Sequence, residues 1–141
     1  MIDVDEACRL RAEAVHIIIS NVPELHNQES WTTETACGTK RCVAGWTLFN
    51  EGYSDLTIRI WGSYEHQLLM SHTAAKAAEL LGINRRDAYI LFYQTDNAEA
   101  VAAMEWLAAG KQLQWREILG DDRFKVVDLQ AAFHFMEHPP F

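Results

Sequence analysis

Cysteine is sparse in this chain. Cys8, Cys37 and Cys42 are its three thiols, an odd number in a domain of 141 residues that is large enough to need no covalent staples. That argues against a disulfide framework and for reduced thiols in a reducing compartment, with Cys8 as an ordinary small core residue. Cations are also few. Twelve Lys and Arg stand against twenty Asp and Glu, a net charge of -8 that repels phosphate backbones and makes nucleic acid a disfavoured partner. Long apolar runs are missing: residues 15–19 form the nearest, but His16 interrupts it and it falls far below a membrane span. The first six residues are acidic and lack the basic and apolar regions of a secretory signal. A cytoplasmic protein without membrane contact is expected. Repeats, linkers and low-complexity tracts are absent too, so residues 1–141 read as one domain.

Catalytic signatures are equally scarce. There is no Gly-rich phosphate loop and no Ser nucleophile elbow, and the carboxylates fall at helix starts, where capping accounts for them. Enzymatic activity is the minority reading, and no cofactor or metal is called for. His26, His66 and His72 lie in different elements at separations that match no ligand pattern. His134 and His138 have helical ligand spacing, but the residues between them do not supply the metalloprotease pattern.

What the chain does contain is a balance of 49% hydrophobic and 23% charged residues, enough for a folded core. A helical period at Ala7, Leu10, Ala14 and Ile17 or Ile18 predicts a first helix, capped by Asp3 or Asp5 and stopped by Pro23. Residues 25–36 read as a loop pinned by Trp31. Residues 42–49 carry no charge, so the helix expected over about 39–50, with Thr39 as its cap, is the predicted centre of the fold. The alternating stretch 56–61 reads as a short strand or hairpin. Gly82, Asn84, Asp96 or Asn97 and Gly110 punctuate further helices. A short helix is expected over 115–119, and a final one over 128–138 carrying Leu129, Ala132, Phe133 and Met136. The predicted fold is mainly α, a compact multi-helix bundle around the buried helix.

Two segments hold chemical interest. The first is the stretch Cys37-Gly38-Thr39-Lys40-Arg41-Cys42, continuing to Gly45 and Trp46. With Thr39 as cap, Cys42 falls in the first helical turn, where the helix dipole, Lys40 and Arg41 favour a thiolate and thus a redox switch at Cys37 and Cys42. The competing reading makes both sulfurs buried packing groups. The second segment, residues 76–91, resembles the helix-turn-helix of Fis-type regulators, with Ala78 at the helix contact, Gly82 in the turn, and Ala88 and Leu91 inward. That resemblance implies DNA contacts from Lys76, Arg85, Arg86 and Tyr89. Asp87 would face phosphate, however, and a plain helical hairpin accounts for the same pattern.

A broader resemblance follows from Trp31, the Cys-Gly-Thr-x-x-Cys-x-Ala-Gly-Trp motif at residues 37–46, the Leu-Leu-Gly hairpin at 80–82 and Trp106 to Gly110. This order resembles small proteins of unknown function from actinobacterial phages and their hosts. It implies an accessory protein whose partner is a host or phage protein. Five tryptophans exceed what a core of this size requires, so Trp31, Trp61 and Trp115 are the expected interface anchors. Oligomeric state has no signature in the sequence.

Overall fold

A computed structural model of the chain describes residues 3–35, 38–66 and 70–137. Among these, eight α-helices and one two-stranded antiparallel hairpin form a mainly α fold. No described helix is long and apolar enough to cross a membrane.

Helix α1, Val4–Asn21, starts where the Asp3 carboxylate accepts the Glu6 N–H at 2.7 Å. It ends as expected before Pro23, but on a different face from the one predicted. Cys8, Ala12, Val15 and Ile19 are buried, while Leu10 and Ile17 stay 39% and 51% exposed. Packing on several sides sets the face. Helix α1 lies against α6, Asn97–Ala108, whose Ala100 and Ala103 are buried, and also packs on α2, Val43–Asn50, and α4, His72–Leu81, with Cys8 close against Gly82.

Helix α2, Val43–Asn50, is buried from Val43 through Leu48 and lies against α1, α3, Asp55–Ser63, and α4, His72–Leu81. The central helix is thus where the uncharged stretch placed it, with one correction at its start. Thr39 is not the cap: Gly38–Lys40 is strand β2, paired with β1, Thr33–Thr35, in the register Thr33–Lys40, Glu34–Thr39 and Thr35–Gly38. Cys42 is the cap, its sulfur accepting the Gly45 N–H at 3.4 Å. The hairpin therefore takes over part of the expected loop 25–36, preceded by a 3-10 turn at Pro23–Leu25.

No strand forms at 56–61. Residues Asp55–Ser63 are helix α3, because Ser54 caps it by accepting the Thr57 N–H at 3.1 Å and no neighbouring strand satisfies an extended backbone there. The apolar alternation misled: Ile58 is buried, whereas Leu56 and Ile60 are 61% and 41% exposed.

Helices α4, His72–Leu81, and α5, Arg85–Tyr89, meet through Gly82, whose φ of 69° ends α4 in the left-handed region. The chain then widens into a π-turn, Ile90–Gln94, closed by the Thr95 hydroxyl donating to the Leu91 carbonyl at 2.7 Å. Asp96 and Glu99 form a reciprocal capping box at the start of α6. Helix α7, Trp115–Leu119, leads into α8, Asp121–Glu137, which begins seven positions before the expected 128.

The loop ahead of the hairpin is held by a buried polar group. His26 is 4% exposed and its Nε2 is 2.9 Å from Gln28 Oε1, while Gln28 Nε2 donates to the Leu91 carbonyl. Burial pushes the His26 imidazole below its ordinary value. A folded value lower than the unfolded one, near 6.5, means stability is complete above that value and declines as pH falls through it. Urea unfolding should therefore show lower stability at pH 5.5 than at pH 7.5. His26→Gln should flatten that part of the profile; an equally steep profile in the variant would assign the slope elsewhere.

Candidate functional site

The Cys-Gly-Thr-Lys-Arg-Cys segment folds into a structural clamp. Arg41 side-chain atoms are only 5% exposed, and the guanidinium meets Asp55 through Nε–Oδ1 at 2.9 Å and Nη2–Oδ2 at 2.8 Å. Its carbon lies 3.7 Å from the centre of the Phe49 ring and 4.4 Å from that of Trp46. The Thr32 hydroxyl also donates to Asp55, and these partners, Arg41 foremost, hold the Asp55 carboxyl below its usual range. Trp46 Nε1 donates to the Leu25 carbonyl at 3.1 Å. Gly45 is required where it stands, since a Cβ there would lie 1.9 Å from the Trp31 carbonyl oxygen.

Cys42 is 1% exposed, and burial pushes its thiol up to about 11, against the smaller opposing pull of backbone N–H groups. The dipole argument fails here because Arg41 turns away to Asp55 and the sulfur lies among Val43, Ala44 and the α2 core rather than in water. Cys37 lies outside the described residues. Gly38 adopts a φ of 123° and is exposed in the hairpin, with Thr39 and Lys40 half-buried beside it.

The second segment does form two helices joined at Gly82, with Ala78, Ala88 and Leu91 buried as the resemblance implied. Its outer side is occupied. Arg86 pairs with Asp128 of α8, and Tyr89 stacks on His134 of α8 with ring centres 4.1 Å apart. Lys76 lies 3.5 Å from Glu79. Asp87 accepts the Trp115 Nε1–H at 2.9 Å, and burial raises its carboxyl. Arg85 is exposed at the helix start. Helices α7 and α8 thus engage part of the surface that a recognition helix would offer to a groove.

Trp115 is corrected as an interface anchor. It is 3% exposed, because α7 turns its indole into the core toward Asp87. Trp31 and Trp61 are half-buried and engaged: Trp31 meets Tyr93 edge-on at 5.6 Å, and a Cβ at Gly62 would lie 2.3 Å from its ring. Trp61 packs between Tyr53 and His72. A cleft of about 810 Å³ opens between residues 27–31 and 92–98. Several of its polar groups are committed within the fold: Asn97 accepts the Gln28 N–H at 2.7 Å and Arg123 binds Glu99 at 2.9 Å. Among the described residues no group of three or more His, Cys, Asp or Glu side chains is gathered as for a metal, and His138 lies outside them.

Among the described residues, α8 exposes an apolar stripe of four large side chains. Val127 and Ala131 are buried, with Phe124 partly buried beside them. On the opposite side Val126, Leu129, Phe133 and Met136 are 46%, 58%, 51% and 68% exposed. Spacings of three, four and three put all four on one stripe of the helix. The expected final helix carried three of these residues, and the structure turns them to solvent. The signal was present in the sequence: residues 124, 127 and 131 form a second apolar line, so α8 has two apolar faces and the core takes the other one.

Compared with known protein families, curated proteins and solved structures, the chain matches none.

Proposed function

We propose that this chain is a non-catalytic accessory protein, of the phage type its sequence motif resembles, that acts by binding a host or phage protein through the outer face of α8. The observation that carries this reading is the exposed stripe Val126, Leu129, Phe133 and Met136. A large apolar patch in one line on a helix marks an interaction surface, whereas scattered apolar residues need no explanation. The geometry matches recognition between amphipathic helices, in which anchors recur at helical spacing. The tryptophans pack within the fold, and several polar groups of the cleft are engaged internally, so the α8 stripe is favoured over both.

Photocrosslinking in a bacterial host tests this. A benzophenone amino acid placed at position 129 or 133 should give an adduct of one discrete mass, and the same group at the exposed position Glu105 of α6 should not. Excess unlabelled protein should compete, and excess Leu129→Gln/Phe133→Gln protein should not. Adducts of equal yield at all three positions, or competition by the double variant, would refute the reading.

A DNA-binding function through residues 76–93 is the second reading, supported by the helical hairpin itself and by exposed Arg85. The engaged partners of Arg86 and Tyr89 and the net charge of -8 weigh against it.

A further inference from the structure

Building on the reading of α8 as a docking face, we infer that its occupant is an amphipathic helix of another protein whose polar flanks carry lysine and arginine. The stripe runs from Val126 to Met136 along the 17-residue helix, about 15 Å at 1.5 Å per residue, which matches a partner helix of about three turns.

Charge decides the partner's chemistry. Among the described residues, seven of the twelve cations of this chain are consumed: Arg9, Arg11, Arg41, Lys76, Arg86, Arg116 and Arg123 each pair with a carboxylate of the chain itself. The excess of eight negative charges is therefore left for whatever approaches. Along α8 the stripe runs on into exposed Asp122, one turn before Val126, with Asp121 beside it paired to Arg116 at 3.3 Å and Lys125 as the cation on its flank. A helix with basic flanks satisfies Asp122 and gains rate from the field of the whole chain, whereas an acidic one meets repulsion.

A second copy of this chain fits less well. It brings another net charge of -8, and four half-exposed side chains fall short of the roughly 800 Å² per partner that a stable dimer buries. A lipid surface is disfavoured too, since interfacial helices that bind anionic membranes carry Lys and Arg along their polar face.

The test uses two synthetic 14-residue helical peptides with identical leucine spacing, one with lysine and one with glutamate at every polar position. Titrated into the intact chain at 0.05 M salt, the lysine peptide should bind about tenfold or more tighter than the glutamate peptide. The gap should shrink at 0.5 M salt. Leu129→Gln/Phe133→Gln should weaken the lysine peptide by about tenfold or more with an unchanged melting temperature. Asp122→Asn should weaken it by a smaller factor and bind the glutamate peptide slightly tighter, since a like charge is removed. Equal affinity for both peptides, each lost in the double variant, would overturn the charge inference and leave the docking face standing. Binding unaffected by the double variant, or no binding of either peptide, would remove the docking face itself. Sedimentation of the free chain as a dimer that Leu129→Gln/Phe133→Gln dissociates would assign the face to a second copy and overturn the inference.

Discussion

Gly45→Ala should destabilise the chain by about 3 kcal/mol or more, enough to unfold many domains of this size at ambient temperature. The added Cβ would sit 1.9 Å from the Trp31 carbonyl oxygen and 3.1 Å from the Arg41 Cβ. Neither obstacle is the free end of a flexible side chain, so relief requires moving the backbone of residue 31 or tilting α2 out of the core. Trp31 is itself fixed by Gly62 and Tyr93, so the displacement propagates into α3 and the π-turn. Gly52→Ala is the control. Its φ of 98° is in the left-handed region, but nothing lies within 4 Å of a Cβ there, so backbone strain of about 1 kcal/mol is the whole expected effect. Urea midpoints for the two variants read the difference; equal losses would show that residue 31 does not press on α2.

Asp55→Ala comes second, at about 3 kcal/mol. The effect comes less from a lost attraction than from leaving the nearly enclosed Arg41 guanidinium without its carboxylate, with only the Trp46 and Phe49 rings for company. Part of Asp55 reaches solvent, which keeps the loss at the lower end of the range for a broken buried pair. Because the folded Asp55 carboxyl lies below its unfolded value near 3.8, its contribution is complete above that value and disappears as pH falls through the folded one. Two measurements follow from this. Stability of the native chain should drop on acidification below about pH 4, and Asp55→Ala should remove that component. Arg41→Met in the Asp55→Ala background should recover much of the loss, since it withdraws the stranded charge. Additive losses in the double variant would mean that the two side chains act independently.

The parts of the fold that were legible are those where one local signal dominates. The uncharged stretch around Trp46 could only be an interior helix. Gly82, Asn84, Asp96 and Gly110 punctuate the chain through their backbone and capping chemistry wherever they stand. Misreadings arose where two patterns compete in the same residues. Leu56, Ile58 and Ile60 alternate like a strand, and the Ser54 cap outweighed that alternation. In α1 the larger residues Leu10 and Ile17 suggested the inner face, but packing against α6, α2 and α4 selected the line Cys8, Ala12, Val15 and Ile19. Cys42 was placed inside a helical turn when it is the cap, because the hairpin that occupies Thr39 depends on pairing across residues 33–40 and leaves little local trace. The candidate site was hidden for a related reason. Tryptophan content pointed to an aromatic interface, while the exposed stripe of four apolar residues belongs to a helix whose two apolar lines both look like core until the rest of the fold chooses one.

Everything assigned to α8 depends on which of those two lines faces water. Equilibrium urea unfolding of Leu129→Gln/Phe133→Gln beside Val127→Ala/Ala131→Gln measures this directly. With the stripe in solvent, the first pair should leave stability within about 0.5 kcal/mol of the native chain, and the second should lose about 2 kcal/mol or more. The reverse order would place Leu129 and Phe133 in the core and leave this chain without the docking face proposed for it.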